Sequence, residues 1–313
     1  MTVAFVFPGQ GSQAVGMGKS LADNFAAARA TFDEVDAALG EKLTETMWAG
    51  PAEKLTLTEN TQPALLAVSI AALRVLESEA GVDLARDVAF LAGHSLGEYS
   101  AHTAAGSLSL ADAARLVRIR GRAMQQAVPV GVGAMAALLG LDDAAARAVA
   151  SEAAQGEVCE TANDNAPGQV VISGHKTAVE RAVEIAKHRG SRAMMLPVSA
   201  PFHCALMQPA ADVMADALSK VRIAAPKVAV IANVTAEPVK DSAGIAKLLV
   251  AQVTGTVRWR QSVAYLAAHG VSRIVEVGSG KVLSGLVKRI AKEVATANVG
   301  NADDVLAFKA ATA

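Results

Sequence analysis

Apolar residues fall along the chain in two alternating grains. Short runs rich in Val, Ile and Ala occur at Val3–Phe7, Val88–Ala92, Val228–Ala232 and Arg273–Val277. Runs of this kind, without a polar residue at every second place, read as strands buried on both faces. Between them lie longer Ala- and Leu-rich stretches of helical period, among them Ala64–Leu76 and Leu110–Gln126. Their alternation predicts a parallel sheet sandwiched by helices. From Val128 to Pro197 the pattern changes to strand (Ala134–Gly140), helix (Asp142–Ala154), strand (near Val158), strand (Gln169–Ser173), helix (Lys176–Arg189) and strand (Ala193–Val198). That β-α-β-β-α-β order predicts a small ferredoxin-like lobe. The Gly/Pro segment Pro129–Gly133 marks its entrance, and Pro197 and Pro201 mark its exit. The Ala-rich tail after Gly300 reads as loosely structured.

Length fits this picture, since 313 residues suffice for one large body and a smaller lobe. Hydrophobic residues make up 52% and charged ones 19%, enough for a sizeable core. The net charge of -1 and the lack of a Lys/Arg run remove the electrostatic footprint of a nucleic-acid binder. Cys159 and Cys204 are expected as reduced thiols in a cytoplasmic setting. The first residues lack a basic leader, and the most apolar stretch, interrupted by Ser69 and Arg74, is too short to span a bilayer, so no membrane is expected. The histidines and acids show no ligand spacing, so neither metal nor cofactor is expected.

Chemistry concentrates at Gly93-His94-Ser95-Leu96-Gly97, a G-x-S-x-G pattern between an apolar strand and a helical segment. Small flanking residues permit a sharp turn that exposes the serine oxygen, and the next helix offers amide donors. Ser95 is the candidate nucleophile; a simple turn before a helix is the alternative. A serine needs a base. Of six histidines, His94 sits beside the nucleophile and His102 follows on the same helix. His175 falls in a turn, His188 among charges and His269 at a helix end, which leaves His203 in Pro197–Met207. His203 is either that base or a packed loop histidine. No acid stands out as a third member, so a dyad with the imidazole oriented by a carbonyl or amide is the simpler arrangement.

The helix Leu110–Gln126 carries arginines that do not share a face. At about 100° per residue, Arg115, Arg118 and Arg122 fall within roughly 60° and face water, whereas Arg120 lies in the apolar arc. An inward guanidinium requires acceptors, and its planar fork suits a carboxylate. The partner is either a structural Asp or Glu or an acid-bearing substrate.

Together with Phe7-Pro-Gly-Gln-Gly-Ser-Gln13, Asn165–Val171, Ser199–Met207 and Glu276–Leu283, these segments resemble the malonyl-CoA:acyl-carrier-protein transacylases and the related polyketide synthase acyltransferase domains. The resemblance implies an α/β-hydrolase-like core, residues 1–127 and 198–313, with a parallel sheet and an inserted ferredoxin-like subdomain, residues 128–197. It implies a malonyl ester on Ser95, His203 as general base, and an oxyanion hole from the backbone amides of Gln10 and Leu96. One such donor is worth about 3 kcal/mol in comparable sites. It further implies Arg120 on the malonyl carboxylate, Met124 and Phe202 along the acyl pocket, and the Gln252 carbonyl orienting His203. Read alone, Gln10 is an ordinary Gly-rich turn residue and Gln252 a surface helix glutamine. The implied substrate is malonyl-CoA, the partner acyl carrier protein, the state a monomer, and the pathway fatty acid or polyketide synthesis. An esterase and a non-catalytic carrier-docking module are the competing functions.

Overall fold

In the computed structural model, which describes residues 2–239 and 241–312, ten strands fall into two sheets. They are β1 (Thr2–Phe7), β2 (Phe90–Gly93), β3 (Gly133–Leu139), β4 (Cys159–Ala166), β5 (Gln169–His175), β6 (Arg192–Met195), β7 (Ala229–Ile231), β8 (Pro238–Val239), β9 (Val271–Val277) and β10 (Ala295–Val299). The first sheet has the order β10-β9-β1-β2-β7-β8, with every neighbouring pair parallel except β7 and β8. Each of the four apolar runs supplies one of its strands.

Why those runs lack alternation is visible in β1. Phe5 and Phe7 face a core built with Leu65, Leu66, Val68 and Leu116, while Ala4 and Val6 face Trp259, Val263, Leu283 and Val287 on the opposite side. Helices cover both faces, so both parities must be apolar. The register pairs Phe7 with Gly93, which sets the loops leaving β1 and β2 side by side at the carboxyl end of the sheet. In open parallel sheets this edge is where ligands bind.

The second sheet is antiparallel, in the order β4-β5-β3-β6. In chain order its elements run β3, helix Asp143–Ala154, β4, β5, helix Lys176–His188, β6. Ala136, Leu138, Val170 and Ile172 pack against Val149, Val179 and Val183 of the two helices, while Met135 and Val171 on the other face join the main core. β4 is also tied to the main body. The Val257 amide donates to Ala162 O at 2.8 Å, the Asp164 amide to Val257 O at 2.9 Å, and Arg260 pairs with the buried Asp164 carboxylate at 2.8 Å.

Two expectations need correction. The segment Ala302–Thr312, expected as a loose tail, is a helix, and β10 precedes it as an edge strand. Alanine-rich sequence favours helix, Asn301 caps the first turn by accepting from the Asp304 amide at 2.9 Å, and Val305 and Phe308 pack into the main core. Met1 and Ala313 lie outside the described residues. The second correction is the helix expected from Ala64, which begins at Thr58 and runs through Pro63 to Ala80. Thr61 Oγ1 donating to Leu55 O at 2.7 Å secures its first turns.

The packing of the C-terminal helix is testable. Phe308→Ala is expected to lower stability by about 2–3 kcal/mol, seen as a lower urea midpoint with an unchanged slope. An unaltered midpoint would mean that the helix contributes nothing to the fold.

Candidate active site

The chain turns from β2 into the helix Gly97–Ala104 at Ser95, whose φ is +52°. Space enforces this turn. A Cβ on Gly93 would lie 1.9 Å from the Gly97 carbonyl oxygen, and one on Gly97 would lie 2.2 Å from the Phe7 carbonyl oxygen. Only glycine fits at either place, and left-handed strain at Ser95 is held by Asn233, whose Oδ1 accepts from the Ser95 amide at 2.8 Å. Asn233 Nδ2 donates to Gly93 O at 2.6 Å, so one side chain straps both ends of the elbow.

His203 arrives from the loop after β6, also with a positive φ of +60°. Its Nε2 lies 2.8 Å from Ser95 Oγ, and its Nδ1 lies 2.9 Å from the Gln252 carbonyl oxygen. A carbonyl only accepts, so Nδ1 carries the proton and Nε2 is left to accept from the serine hydroxyl. Gln252 sits in the last turn of the helix Ser242–Thr254, where carbonyls have no helical partner and the dipole is negative. Burial and the nearby Arg120 charge push the His203 imidazole down to about 3, with the Gln252 hydrogen bond opposing.

Arg120 is buried at 1% exposure. Its Nη1 donates to Gln62 Oε1 at 2.8 Å, and its Nη2 donates to Gln252 Oε1 at 2.8 Å and to Ser95 Oγ at 3.0 Å. The guanidinium also stands 5.7 Å from the centroid of the Tyr99 ring. Among the described residues no carboxylate forms an ion pair with it, and its Nε has no partner. Neutral acceptors therefore satisfy only part of a buried cation beside Ser95. Burial pushes its proton affinity below the usual arginine value.

A cavity of about 470 Å³ opens over these groups, lined among others by Gln10, Leu96, Met124, Phe202 and His203. Met124 and Phe202 are buried walls. Gln10 lies in the loop after β1 with its side chain accepting from Thr58 Oγ1 at 2.9 Å. Leu96 is the N-cap of the helix Gly97–Ala104. Among the described residues neither the Gln10 nor the Leu96 amide has an acceptor.

The acyl transferase domain model matches residues 4–305. A malonyl CoA-acyl carrier protein transacylase of Salmonella typhimurium is 51% identical over 288 residues, 92% of each chain. The chain belongs to the malonyl-CoA:acyl carrier protein transacylase family. Among solved structures, an acyl-carrier-protein S-malonyltransferase from Bartonella henselae superposes with a TM-score of 0.97 at 54% identity, covering 100% of this chain and 99% of that one. A malonyl-transacylase solved in complex with a type II PKS acyl carrier protein superposes at 0.95 with 42% identity, covering 99% and 100%.

In this transacylase the structure also departs from what the sequence suggested. Arg118, expected in water, is 6% exposed because Glu41 and Asn60 close over it with hydrogen bonds. Gln252 is fully buried rather than a surface glutamine, and its side chain as well as its carbonyl enters the site. Asn233, Gln62, Glu98 and Asn165 were not singled out. Gln62 precedes the helix expected from Ala64, so the pattern gave no signal for it, whereas Asn165, whose Oδ1 meets His94 Nε2 at 2.8 Å, lies in a segment carrying the resemblance. Nothing in the spacing marked Asn233. Among the described residues no cluster of three His, Cys, Asp or Glu is placed to hold a metal ion, and no helix is long and apolar enough to cross a membrane.

The lowered proton affinity of His203 predicts a pH profile. A base whose charged form is disfavoured stays neutral in mild acid, so the rate of Ser95 acylation should hold down to about pH 5. Rapid-quench acylation as a function of pH measures this; an acid limb centred near the ordinary histidine value would contradict it.

Proposed function

We propose that the chain transfers a malonyl group from malonyl-CoA to the phosphopantetheine thiol of acyl carrier protein through an ester on Ser95. The observation that carries this reading is the Arg120 guanidinium, buried next to Ser95 Oγ with only neutral acceptors among the described residues. A short diacid thioester with its carbonyl at the serine directs its free carboxylate to that guanidinium.

In the first half-reaction Ser95 Oγ attacks the thioester carbonyl while His203 Nε2 takes the hydroxyl proton. The Gln252 carbonyl and the helix end behind it stabilise the resulting imidazolium. The oxyanion is met by the Gln10 and Leu96 amides. Collapse breaks the carbon–sulfur bond, and the leaving coenzyme A thiolate receives the proton from His203. In the second half-reaction the carrier thiol gives its proton to His203 as its sulfur attacks the ester carbonyl, and collapse breaks the carbon–oxygen bond, so that Ser95 Oγ leaves and takes the proton back from His203. A carboxylate on Arg120 also screens the charge that opposes imidazolium formation, so the correct substrate makes His203 a better base.

Met124 and Phe202 bound the acyl group, where a single methyl is worth about 1–3 kcal/mol of discrimination. We assign residues 1–127 and 198–313 to the catalytic core and 128–197 to an inserted subdomain that forms the other wall of the cleft. Both cysteines are free and buried, in keeping with a cytoplasmic enzyme. The reading invokes no resident cofactor and a single copy of the chain acting as a monomer.

Intact-mass analysis after mixing with malonyl-CoA tests the proposal. A lasting adduct of one malonyl group, absent in Ser95→Ala, is expected; rapid release of free malonate would indicate an esterase, and no adduct would indicate a docking module. Arg120→Ala should lower malonyl transfer by about 100-fold or more while acetyl-CoA becomes a competing donor. Retained malonyl preference in that variant would remove Arg120 from the mechanism.

A further inference from the structure

Glu98 has no part in the mechanism above, yet it is the acid built into the floor of the site. It lies in the first turn of the helix Gly97–Ala104 and is 0% exposed. Its Oε2 accepts from Gln252 Nε2 at 2.7 Å and from the Asn233 amide at 3.1 Å, while its Oε1 has no partner among the described residues. The same Gln252 side chain presents Oε1 to Arg120 at 2.8 Å and lets Nε2 share the Ser95 carbonyl at 2.9 Å. One amide thus stands between a buried carboxylate and a buried guanidinium. A carboxylate only accepts, so Glu98 dictates which end of the Gln252 amide faces Arg120.

The charges around Glu98 are few. The helix Leu110–Gln126 contributes Arg120, whose charge favours the carboxylate; the helix Gly97–Ala104 contributes the buried, neutral Tyr99; Gln252 and Asn233 contribute neutral dipoles. His203, on the loop side of Ser95, is neutral. Among the described residues the site therefore holds one cation and one acid before substrate arrives. A malonyl carboxylate at Arg120 adds a second anion to a space with one guanidinium, and two buried anions cannot both stay ionised cheaply beside a single cation.

We propose that Glu98 is a positioning residue that sets Gln252 and Arg120 for the malonyl carboxylate and takes up a proton from solvent as that carboxylate binds. The inference rests on the reading that Arg120 receives the carboxylate. Glu98 Oε1 is the natural acceptor of the proton, because protonation there leaves the bonds to Gln252 and Asn233 in place. Burial already pushes the Glu98 carboxyl up to about 7, so a nearby second anion drives it through neutrality. Acyl transfer contributes no net proton, since the Ser95 hydroxyl proton leaves on the coenzyme A thiol; any uptake belongs to a residue of the site.

The test measures protons and kinetics together. In weakly buffered solution at about pH 8, wild-type enzyme mixed with malonyl-CoA should take up a substantial fraction of one proton per acylated serine, and none with acetyl-CoA. Glu98→Gln keeps an acceptor oxygen for Gln252 but has no charge to lose. It should abolish the uptake and lower KM for malonyl-CoA about fivefold at that pH, with a smaller effect on the acetyl-CoA KM. Glu98→Ala, which frees the Gln252 amide, should lower kcat with both donors. The inference is overturned if wild type takes up no proton, takes it up equally with acetyl-CoA, or if Glu98→Gln still takes it up; the wild-type arms decide even if the variants fold poorly. If Arg120→Ala keeps malonyl preference, the underlying reading fails; if it loses the preference and wild type takes up no proton, only the role of Glu98 fails.

Discussion

A guanidinium held out of water without an anion is the constraint around which the site is arranged. Taking such a group from water costs several kcal/mol unless its donors are met, and among the described residues Arg120 meets Gln62, Gln252 and Ser95 but no carboxylate. The fold supports this state by surrounding the cation with oriented dipoles: two amide oxygens, a hydroxyl and the face of Tyr99. Each acceptor is also tied elsewhere. Gln252 binds Glu98 and the Ser95 carbonyl, and Gln62 Nε2 donates to Thr58 Oγ1 at 3.1 Å. The charge is thus carried by a rigid polar floor and left short of one strong partner.

The same floor shapes the turn at Ser95. Asn233 and Gln252 hold the backbone on both sides of Ser95, and the glycines at 93 and 97 give the turn the only side chains that fit. Gln252 links three tasks through one residue, orienting His203 with its carbonyl and Arg120 and Ser95 with its amide. A helix end places that carbonyl, so the imidazole is oriented by main chain instead of by a buried acid. The tie of Val257 to β4 begins five residues later in the same segment, which fixes the second sheet, and hence the far wall of the cleft, relative to the histidine.

Much of this was legible in the residues. Apolar runs without alternation announced strands covered on both faces, and the change of grain after Val128 announced the second set of strands. The inward direction of Arg120 followed from helical angles alone, and the strand–Gly–helix context of Ser95 from its neighbours. What stayed hidden has physical reasons. Arg118 pointed to the expected side of its helix but is covered by groups far away in sequence. The helix Ala302–Thr312 looked featureless because alanine carries no amphipathic pattern, though Asn301 and the acids after it were a cap signal. Asn233 and Glu98 act through contacts across more than a hundred positions, and no local pattern encodes such pairs.

The most direct test of the account is the structure of the enzyme stalled as its malonyl-Ser95 ester. The ester carbonyl should point at the amides of Gln10 and Leu96, and the free carboxylate should lie in bidentate hydrogen-bonding distance, about 2.8 Å, of the Arg120 guanidinium. A carboxylate turned toward solvent, with Arg120 still bound only to Gln62 and Gln252, would contradict it.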